Sequence, residues 1–391
     1  PGPAAAAAPP LPRRGWPPPL RRALCVPGAR RRRASQGPGP KYTGCSCEAE
    51  PVPCVDVTAC LAAAREAASE PAEAETGGRR ALVTIHDLQI PFEEADDRLF
   101  RRYLRPAHVL FYEQEGLRLV REHHGLEHVL LVPEPRLAKH PLQDASREAL
   151  RQRGVRVVEV PWLHPPLRQS VLEETAADVQ TFGPSEFIRL HLWNLTEYEA
   201  VLYLDHDMLL LGDVAPLLHC SRLTGMYLTT SGSTAPLNLG LHALRPDARI
   251  FEALVEVLSR TEYVPELGFT ATPAHRSWGP VDGHGPTRGS AHAGLQGFLY
   301  YFFYRPDGVV HWALRRRGAW PALAGQVDRC TWNYSKDHLM YRWLVEEPQS
   351  RPPDVEEMLF RCPLGALERP RIVHKFDEAM RLLVLRNRSA A

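Results

Sequence analysis

The stretch AVLYLDHDMLLLGDV, from Ala200 to Val214, decides the fold more than any other part of the 391-residue chain. Its first half is a β-prone apolar run that ends in Asp205, and Asp207 stands two residues further on. Side chains two apart on an extended chain point to the same side, and two carboxylates brought together repel each other unless a cation lies between them. A divalent ion held there could also bridge a diphosphate and neutralise its charge as it leaves. The alternative is a pair of surface acids in a turn, which the apolar residues on both sides make less favourable.

Apolar runs of this kind recur along the chain and alternate with amphipathic stretches. The segments QDASREALRQR and EFIRLHLWNLTEY have helical spacing and precede the third and fourth of these runs. This alternation predicts βαβ units, and therefore an α/β fold with a mostly parallel sheet flanked by helices. Ligands of such sheets bind outside the carboxyl ends of the strands, so we expect functional residues just after the runs. The predicted strands are ALVTIH (Ala81–His86), HVLLV (His128–Val132), GVRVVEVP (Gly154–Pro161) and AVLYLD (Ala200–Asp205).

The N-terminal segment differs in composition from the rest of the chain. Lys and Arg number 47 against 46 Asp and Glu, but residues 1–44 hold nine basic and no acidic side chains, so the remainder is net acidic. A net charge of +1 gives no support to a basic nucleic-acid-binding protein, and no nucleic-acid partner is expected. Runs of Pro, Ala, Gly and Arg bury little surface. We predict a low-complexity, mostly disordered segment over residues 1–78 and a single α/β domain over residues 79–391.

No apolar run of about 18 residues is present, so no membrane anchor is visible in the sequence. The chain opens on Pro1 rather than Met, and we expect the natural N-terminus, with any anchor or targeting signal, to lie upstream. The sequence is compatible both with the Golgi or another secretory lumen and with the cytoplasm.

Cysteines and sequons bear on the same question. One group of four cysteines lacks the CxxC pairs of common zinc modules, which favours a small disulfide knot over a zinc site. That group is Cys45, Cys47, Cys54 and Cys60. Sequons for N-glycosylation begin at Asn194, Asn333 and Asn387, a short pattern that also arises by chance.

The residues His124, Glu127 and His128 match the H-x-x-E-H pattern of one metalloprotease group. That chemistry needs both histidines on one face of a regular helix. Gly125 lies inside the pattern, and His128 opens a β-like run that ends at Pro133. We therefore interpret Gly125 as the residue after a helix that leads into a strand, and expect the histidines to be ordinary, partly exposed side chains.

The block FIRLHLWNLTEYEAVLYLDHDMLLLGDVAPLL, Phe187–Leu218, resembles the central block of glycosyltransferase family 8, the glycogenin-like retaining enzymes. Further blocks resemble family segments in the same order, and together they cover roughly residues 79–378. The resemblance implies the GT-A fold of nucleotide-diphospho-sugar transferases, with a mostly parallel, Rossmann-like sheet. The further blocks are ALVTIHD (Ala81–Asp87), APLNLGLHALRPD (Ala235–Asp247), AGLQGFLYYFF (Ala293–Phe303) and IVHKF (Ile372–Phe376).

A metal site is the most specific implication of the resemblance. The family's D-x-D acids and its late histidine correspond to Asp205, Asp207 and His374. Two hard oxygens and one imidazole nitrogen, with room for phosphate oxygens, suit Mn²⁺, with Mg²⁺ as the weaker alternative. Taken alone, His374 would be interpreted as a core histidine. The resemblance also implies nucleotide binding by Ile85, Asp87, Asp205, His206 and Asp207.

The resemblance further implies three residues at the reacting sugar. Arg189 stands where the family carries a Lys and would meet the sugar or phosphate, although its spacing alone indicates a surface charge. Asn238 would hydrogen-bond sugar or acceptor hydroxyls; otherwise it is a turn-capping Asn. Gln296 and Gly297 keep part of the family's acidic D-G-G-D-Q-G block, whereas His292 and Leu295 replace both of its acids.

The D-x-D context and the resemblance together predict a metal-dependent glycosyltransferase, and the resemblance implies that it moves a hexosyl group from a UDP-sugar to an acceptor hydroxyl with retention of configuration. The acceptor would be a glycan, a protein or a small molecule. The main alternative is a catalytically silent GT-A protein that binds UDP or a sugar, because the two family acids are missing. A metalloprotease and a basic tail that binds nucleic acid are the other classes considered.

Overall fold

The structure is a computed structural model, and it describes 55, 57, 60–62, 78–86, 125–134, 142–163, 184–205, 208–210, 212–230, 237–260, 262–264, 268–270, 295–304, 324–328, 332–335 and 372–374. The strands within these ranges are β1 Arg80–Ile85, β2 Leu126–Pro133, β3 Val155–Val160, β4 Ala200–Leu204, β5 Leu209–Leu210, β6 Tyr227–Thr230, β7 Asn238–Leu244, β8 Glu262–Val264, β9 Gly268–Thr270, β10 Ala324–Gln326, β11 Tyr334–Ser335 and β12 Ile372–His374. The helices are α1 Asp144–Gln152, α2 Ala215–Thr224, α3 Ala248–Arg260 and α4 Leu295–Tyr304, with a 3-10 helix over Pro184–Asn194.

In the described part of the chain, the main sheet has seven strands in the order β10-β6-β7-β4-β1-β2-β3. All neighbouring pairs are parallel except those that β7 makes with β4 and β6, which are antiparallel. The predicted α/β class with a mostly parallel sheet is therefore confirmed. The four predicted strands are β1 to β4, and they end within a residue or two of the predicted bounds.

Both faces of the sheet are covered, because the strands are apolar at successive positions rather than at every second one. On β1, Ala81 and Val83 pack into a core beneath the 3-10 helix, α3 and α4. The intervening Leu82 packs into the opposite core, which α2 covers. Such doubly covered strands are typical of parallel sheets.

Local sequence explains how α2 is positioned behind β4. Asp213 accepts a hydrogen bond from the backbone N–H of Ala215 at 2.8 Å, and a proline occupies the first turn. The helix ends at Gly225, whose φ of 67° lies in the left-handed region that favours glycine. The segment predicted as an ordinary helix before β4 is instead a 3-10 helix of 11 residues, which is unusually long for that type.

A small second sheet joins the C-terminal region to the D-x-D segment. The strand β12 pairs antiparallel with β5, with Ile372 opposite Leu210 and Val373 opposite Leu209, and parallel with β11. Continuing the first register by one residue sets His374 level with Met208, directly after Asp207. The topology thus brings the backbone of the late I-V-H segment beside the end of β4.

Part of the predicted N-terminal segment lies in the core. Val55, Val57 and Cys60 are buried with α2, and the N–H of Val55 donates to the carbonyl of Gln326 at 2.7 Å. Cys60 forms a disulfide with Cys220 of α2, rather than with another member of the cysteine group. The remaining three cysteines of that group lie outside the described residues, as does most of 1–78, so the domain division at residue 78 stays a prediction.

The H-x-x-E-H segment has no helix at its second half. Gly125 has a φ of 59°, and β2 begins at the next residue, so both Glu127 and His128 lie on a strand. The expectation that His128 is partly exposed was wrong: it is completely buried and its Nε2 lies 3.3 Å from the hydroxyl of Thr84. The reason is that β2 is an internal strand between β1 and β3.

Among the described helices, none combines the length and the apolar character that crossing a bilayer requires.

Candidate functional site

Asp205 stands directly after the carboxyl end of β4 and is fixed there by its backbone. Its N–H donates to the carbonyl of Gly240 on the antiparallel β7 at 2.9 Å. Its own carbonyl accepts from the N–H of Met208 at 3.2 Å, which closes a tight turn. The carboxylate is one quarter exposed, so it faces a partly open region at the edge of the sheet. His206 and Asp207, inside that turn, lie outside the described residues.

Arg189, from the 3-10 helix, reaches across to this carboxylate. One terminal nitrogen lies 3.0 Å from Oδ1 of Asp205, and the other donates to the carbonyl of Leu239 at 3.2 Å. The guanidinium lies 4.8 Å above the centroid of the Tyr203 ring, and Glu186 is a second acid at 3.9 Å. The helical spacing alone indicated a surface charge at Arg189, but the side chain is only 10% exposed. A buried cation needs such compensation, because leaving its charge unpaired costs several kcal/mol.

Tyr203 is a member of the site that no sequence pattern indicated. Its hydroxyl donates to Oδ1 of Asp205, and the two side chains lie on the same face because Tyr203 stands two residues before Asp205 along the extended chain. Burial raises the pKa of Tyr203 well above its usual value, so the hydroxyl keeps its proton and remains a donor. The alternation rule could have placed it beside Asp205, but an aromatic residue in a strand is more often part of the core.

Asn238 begins β7 and supports the backbone that holds Asp205. Its Oδ1 accepts from the N–H of Gly240 at 2.8 Å, which resembles the turn-capping role considered from sequence. The same oxygen accepts from the amide of Asn333 at 2.8 Å, and that amide also donates to the hydroxyl of Thr230. Both contacts use the side-chain carbonyl oxygen of Asn238 and leave its amide nitrogen out of them.

The other sequence-predicted residues are placed less completely. Gln296 lies in the first turn of α4 and is 9% exposed; no hydrogen bond joins it to Asp205 or Arg189 within the described residues. Its helix packs on the 3-10 helix, where the rings of Phe298 and Phe187 are 5.9 Å apart. Ile85 ends β1, and the register that pairs Val83 with Tyr203 sets it level with Asp205. Asp87 and the side chain of His374 lie outside the described residues.

Within the described part of the chain, no group of three His, Cys, Asp or Glu side chains could hold a metal ion. That part includes only Asp205 of the three predicted ligands as a side chain. Its single described carboxylate, the turn that contains Asp207, and the β12 backbone level with Met208 are compatible with a two-oxygen, one-nitrogen donor set. The described residues thus include one carboxylate of the predicted donor set, and a divalent ion such as Mn²⁺ at this position stays a prediction.

Two histidines are buried on elements that carry site residues: His191 on the 3-10 helix of Arg189, and His242 on β7. His242 is opposite Tyr203 on β7, and its Nδ1 is 2.7 Å from the hydroxyl of Tyr227. Burial lowers the pKa of His242 well below its usual value, and the charge of Arg189 lowers it further. The Nε2 of His191 is 2.8 Å from the carbonyl of Pro161, and burial lowers its pKa as well. Both side chains are therefore neutral near pH 7.

No protein-family model and no curated protein matches the chain. Among solved structures, the galactosyltransferase LgtC in complex with donor and acceptor sugar analogs is 13% identical, covers 76% of this chain and 88% of its own, and gives a TM-score of 0.34. Mouse xyloside xylosyltransferase 1 is 14% identical, with 76% and 97% covered and a TM-score of 0.37. The glycosyltransferase GlyE of Streptococcus pneumoniae is 14% identical, with 77% and 56% covered and a TM-score of 0.35. Likenesses this distant carry no argument about function, which therefore depends on the site itself.

Proposed function

We propose that the chain is a metal-dependent glycosyltransferase that transfers a hexosyl group from a UDP-sugar to an acceptor hydroxyl with retention of configuration. The observation that carries the proposal is the setting of Asp205. This carboxylate stands at the carboxyl end of an internal strand, is held on one oxygen by Arg189 and Tyr203, and keeps partial exposure. Ligands of α/β proteins bind at this end of a parallel sheet.

Asp205, Asp207 and His374 would hold Mn²⁺, with Mg²⁺ as the weaker alternative. When bound, the ion would act as a Lewis acid on the departing diphosphate. The contribution of the chain itself begins with orientation. Because Arg189 and Tyr203 both contact Oδ1, they fix the rotation of the Asp205 carboxylate and direct Oδ2 away from themselves. An outer contact of this type orients a metal-ligating group.

Arg189 has a second function in the proposal. Its positive charge is buried next to the position where a nucleotide diphosphate would lie, and a fixed cation in a poorly solvated site stabilises negative charge that builds during reaction. The backbone carbonyl of Leu239 and the ring of Tyr203 hold the guanidinium in place, so it would need little reorganisation when the donor binds.

Nucleotide and sugar contacts follow from the strands around Asp205. Ile85 and Asp87, at the end of β1, and His206, inside the turn, would contact the nucleotide. Asn238 would offer its amide nitrogen to a sugar or acceptor hydroxyl, and Gln296 would face the transferred sugar. Leu295 is completely buried, so an apolar side chain occupies a position where the resembling family has an acid. Identifying the donor sugar therefore requires a panel of UDP-sugars.

The direct test is release of UDP from a panel of UDP-sugars by the full chain, with Mn²⁺ or with EDTA, and with candidate glycan and small-molecule acceptors. We expect release from one donor, only with metal, and its loss in Asp207→Asn. Asp144→Asn makes the same chemical change at the exposed start of α1 and should leave release unchanged. Metal-dependent UDP binding without turnover of any donor would favour the silent sugar-nucleotide-binding alternative, and failure to bind UDP at all would contradict both.

A further inference from the structure

The structure distinguishes two of the three N-glycosylation sequons of the chain by the exposure of their asparagines. Asn333 is 3% exposed, and its amide group donates to Thr230 and Asn238 at the candidate site, so a glycan there would break both hydrogen bonds. Asn387 lies outside the described residues. Asn194 is different, because its side chain is exposed in a well-packed part of the fold.

The surroundings of Asn194 suit a modified asparagine. It is the last residue of the 3-10 helix, and it is followed by a turn in which the N–H of Tyr198 donates to the carbonyl of Leu195 at 3.0 Å. Leu195 is buried and anchors the turn, while Thr196, the hydroxyl residue of the sequon, is exposed. Both groups that define the sequon therefore face solvent, and only the residue between them faces the core. Sequons of this kind are acceptors on surface loops of secreted proteins.

An independent observation supports the same compartment. The disulfide between Cys60 and Cys220 joins segments 160 residues apart, and both of its cysteines are buried. Such structural disulfides form and persist in oxidising compartments, which include the lumen of the endoplasmic reticulum, and are rare in the cytosol. Folding in the lumen of the endoplasmic reticulum would supply both the oxidising conditions for this bond and the machinery of N-glycosylation.

We infer that Asn194 carries an N-linked glycan. In the modification, Nδ2 of Asn194 forms a bond to the anomeric carbon of the first sugar of an oligosaccharide carried on a lipid diphosphate. The bond from that carbon to the diphosphate oxygen breaks, the lipid diphosphate leaves with the electron pair, and one Nδ2 proton passes to solvent.

The position of Asn194 keeps such a glycan away from the candidate site. Asn194 lies just before the amino end of β4, whereas Asp205 follows its carboxyl end. Five residues of strand separate the two ends by roughly 17 Å. Losing the glycan should therefore leave donor binding unchanged, so the inference stands apart from the proposed sugar transfer.

The test expresses the full chain behind a cleavable secretion signal in cultured animal cells. Peptide-N-glycosidase in heavy-oxygen water converts each glycan-bearing asparagine to a labelled aspartate, which peptide mass spectrometry locates. We expect label at residue 194 and none at residue 333. Asn194→Gln and Thr196→Val should each remove that label and shift the intact chain by one glycan, whereas Thr196→Ser keeps the sequon and should keep the label.

A non-reducing peptide map of the same secreted chain reports whether Cys60 and Cys220 are joined. A secreted chain with unlabelled Asn194 would overturn the inference, with or without the disulfide. Label that survives in Thr196→Val would overturn it as well, because the hydroxyl residue of the sequon would then not matter. If Asn194→Gln reduces secretion, the exposed Thr196 variants still decide the outcome.

Discussion

The two ends of the main sheet differ in how far their arginine side chains are buried and in which groups compensate the charge. At the carboxyl end, Arg189 is 10% exposed and is held by Asp205, a backbone carbonyl and the face of Tyr203. At the amino end, Arg79 and Arg156 are 54% and 42% exposed, and they pair with surface acids and with the hydroxyl of Tyr198. Exposed pairs contribute little to stability, whereas a buried charge is costly unless it is fully compensated. Among the described residues, the buried arginine lies at the carboxyl end, which is also the end where ligands of parallel α/β sheets bind.

The amino end also shows how the protein stabilises charges that are only partly buried. Burial raises the pKa of Glu127, but hydrogen bonds from Arg79 and Tyr198 and the charge of Arg156 outweigh it and hold that pKa below its usual value. Burial and the neighbouring Glu127 raise the pKa of Tyr198 to about 12, so its hydroxyl stays protonated. The cluster links the starts of β1, β2 and β3 to the turn before β4.

Among the substitutions that test this comparison, replacing Arg189 should have the largest effect on the free energy of unfolding. Arg189→Met leaves Asp205 and Glu186 without their cation, and we expect the free energy of unfolding to fall by about 3 kcal/mol. Urea unfolding measures this change. Arg189→Lys keeps the charge but cannot bridge Asp205 and the carbonyl of Leu239 together, so its loss should be smaller. An Arg189→Met chain as stable as the wild type would show that the buried pair has no energetic role.

The buried histidines predict how stability depends on pH. His191 and His242 have lowered pKa values in the folded chain, whereas in the unfolded chain they gain protons near pH 6.5. The unfolded state thus binds more protons below that pH, so stability is fullest above about 6.5 and falls as the pH drops. Each histidine contributes a slope of about 1.4 kcal/mol per pH unit below its unfolded pKa.

Urea unfolding between about pH 7.5 and pH 5.5 checks this slope, since most carboxylates titrate lower, near pH 4. His242→Gln should remove the contribution of His242 to the slope, which corresponds to one proton, and should leave the contribution of His191. A free energy of unfolding that stays level or rises as the pH falls through this window would contradict the neutral state of the two side chains.

Removing one hydroxyl at each end gives a matched pair of smaller effects. Tyr203→Phe loses the hydrogen bond to Asp205, and we expect about 1 kcal/mol less stability and about tenfold weaker Mn²⁺-dependent UDP binding. Tyr198→Phe loses hydrogen bonds at the amino end and should change stability by a similar amount without affecting UDP binding. Equal UDP affinities in the two variants would show that Tyr203 does not contribute to UDP binding.

The smallest effect is expected for the exposed pairs. Arg156→Met removes contacts to Glu197 and Tyr198, yet it should lower the free energy of unfolding by about 0.5 kcal/mol or less, because solvent screens the lost charges. Thermal or urea unfolding at low and high salt measures the change. A loss as large as that of Arg189→Met would show that the two ends do not differ in the way described.

The sequence predicted the parts of the fold that depend on local pattern. The runs that became β1 to β4 were visible because doubly covered strands are continuously apolar, and the same logic placed Asp205 at a strand end. Gly125 was interpreted correctly as a lead into a strand, since a left-handed φ favours glycine. These features are encoded by neighbours along the chain.

Features that depend on distant partners were not predictable in this way. Cys60 pairs with Cys220 across 160 residues, and nothing in the spacing of the cysteine group indicated it. The pairing of β12 with β5 and the link from Asn333 to Asn238 join segments that only the folded sheet brings together. Tyr203 was missed for another reason: its pattern is that of a core residue, and only its contact with Asp205 distinguishes it.

The central claim is that the carboxyl end of β4 binds a sugar nucleotide through a metal at Asp205. Calorimetric titration of UDP into the full chain, with Mn²⁺ and with EDTA, tests it most directly when Asp205→Asn is compared with Glu127→Gln. The account predicts binding that requires Mn²⁺, that Asp205→Asn weakens by more than about 100-fold, beyond the usual cost of an outer-shell change, and that Glu127→Gln leaves intact. UDP binding that Asp205→Asn does not alter would contradict it.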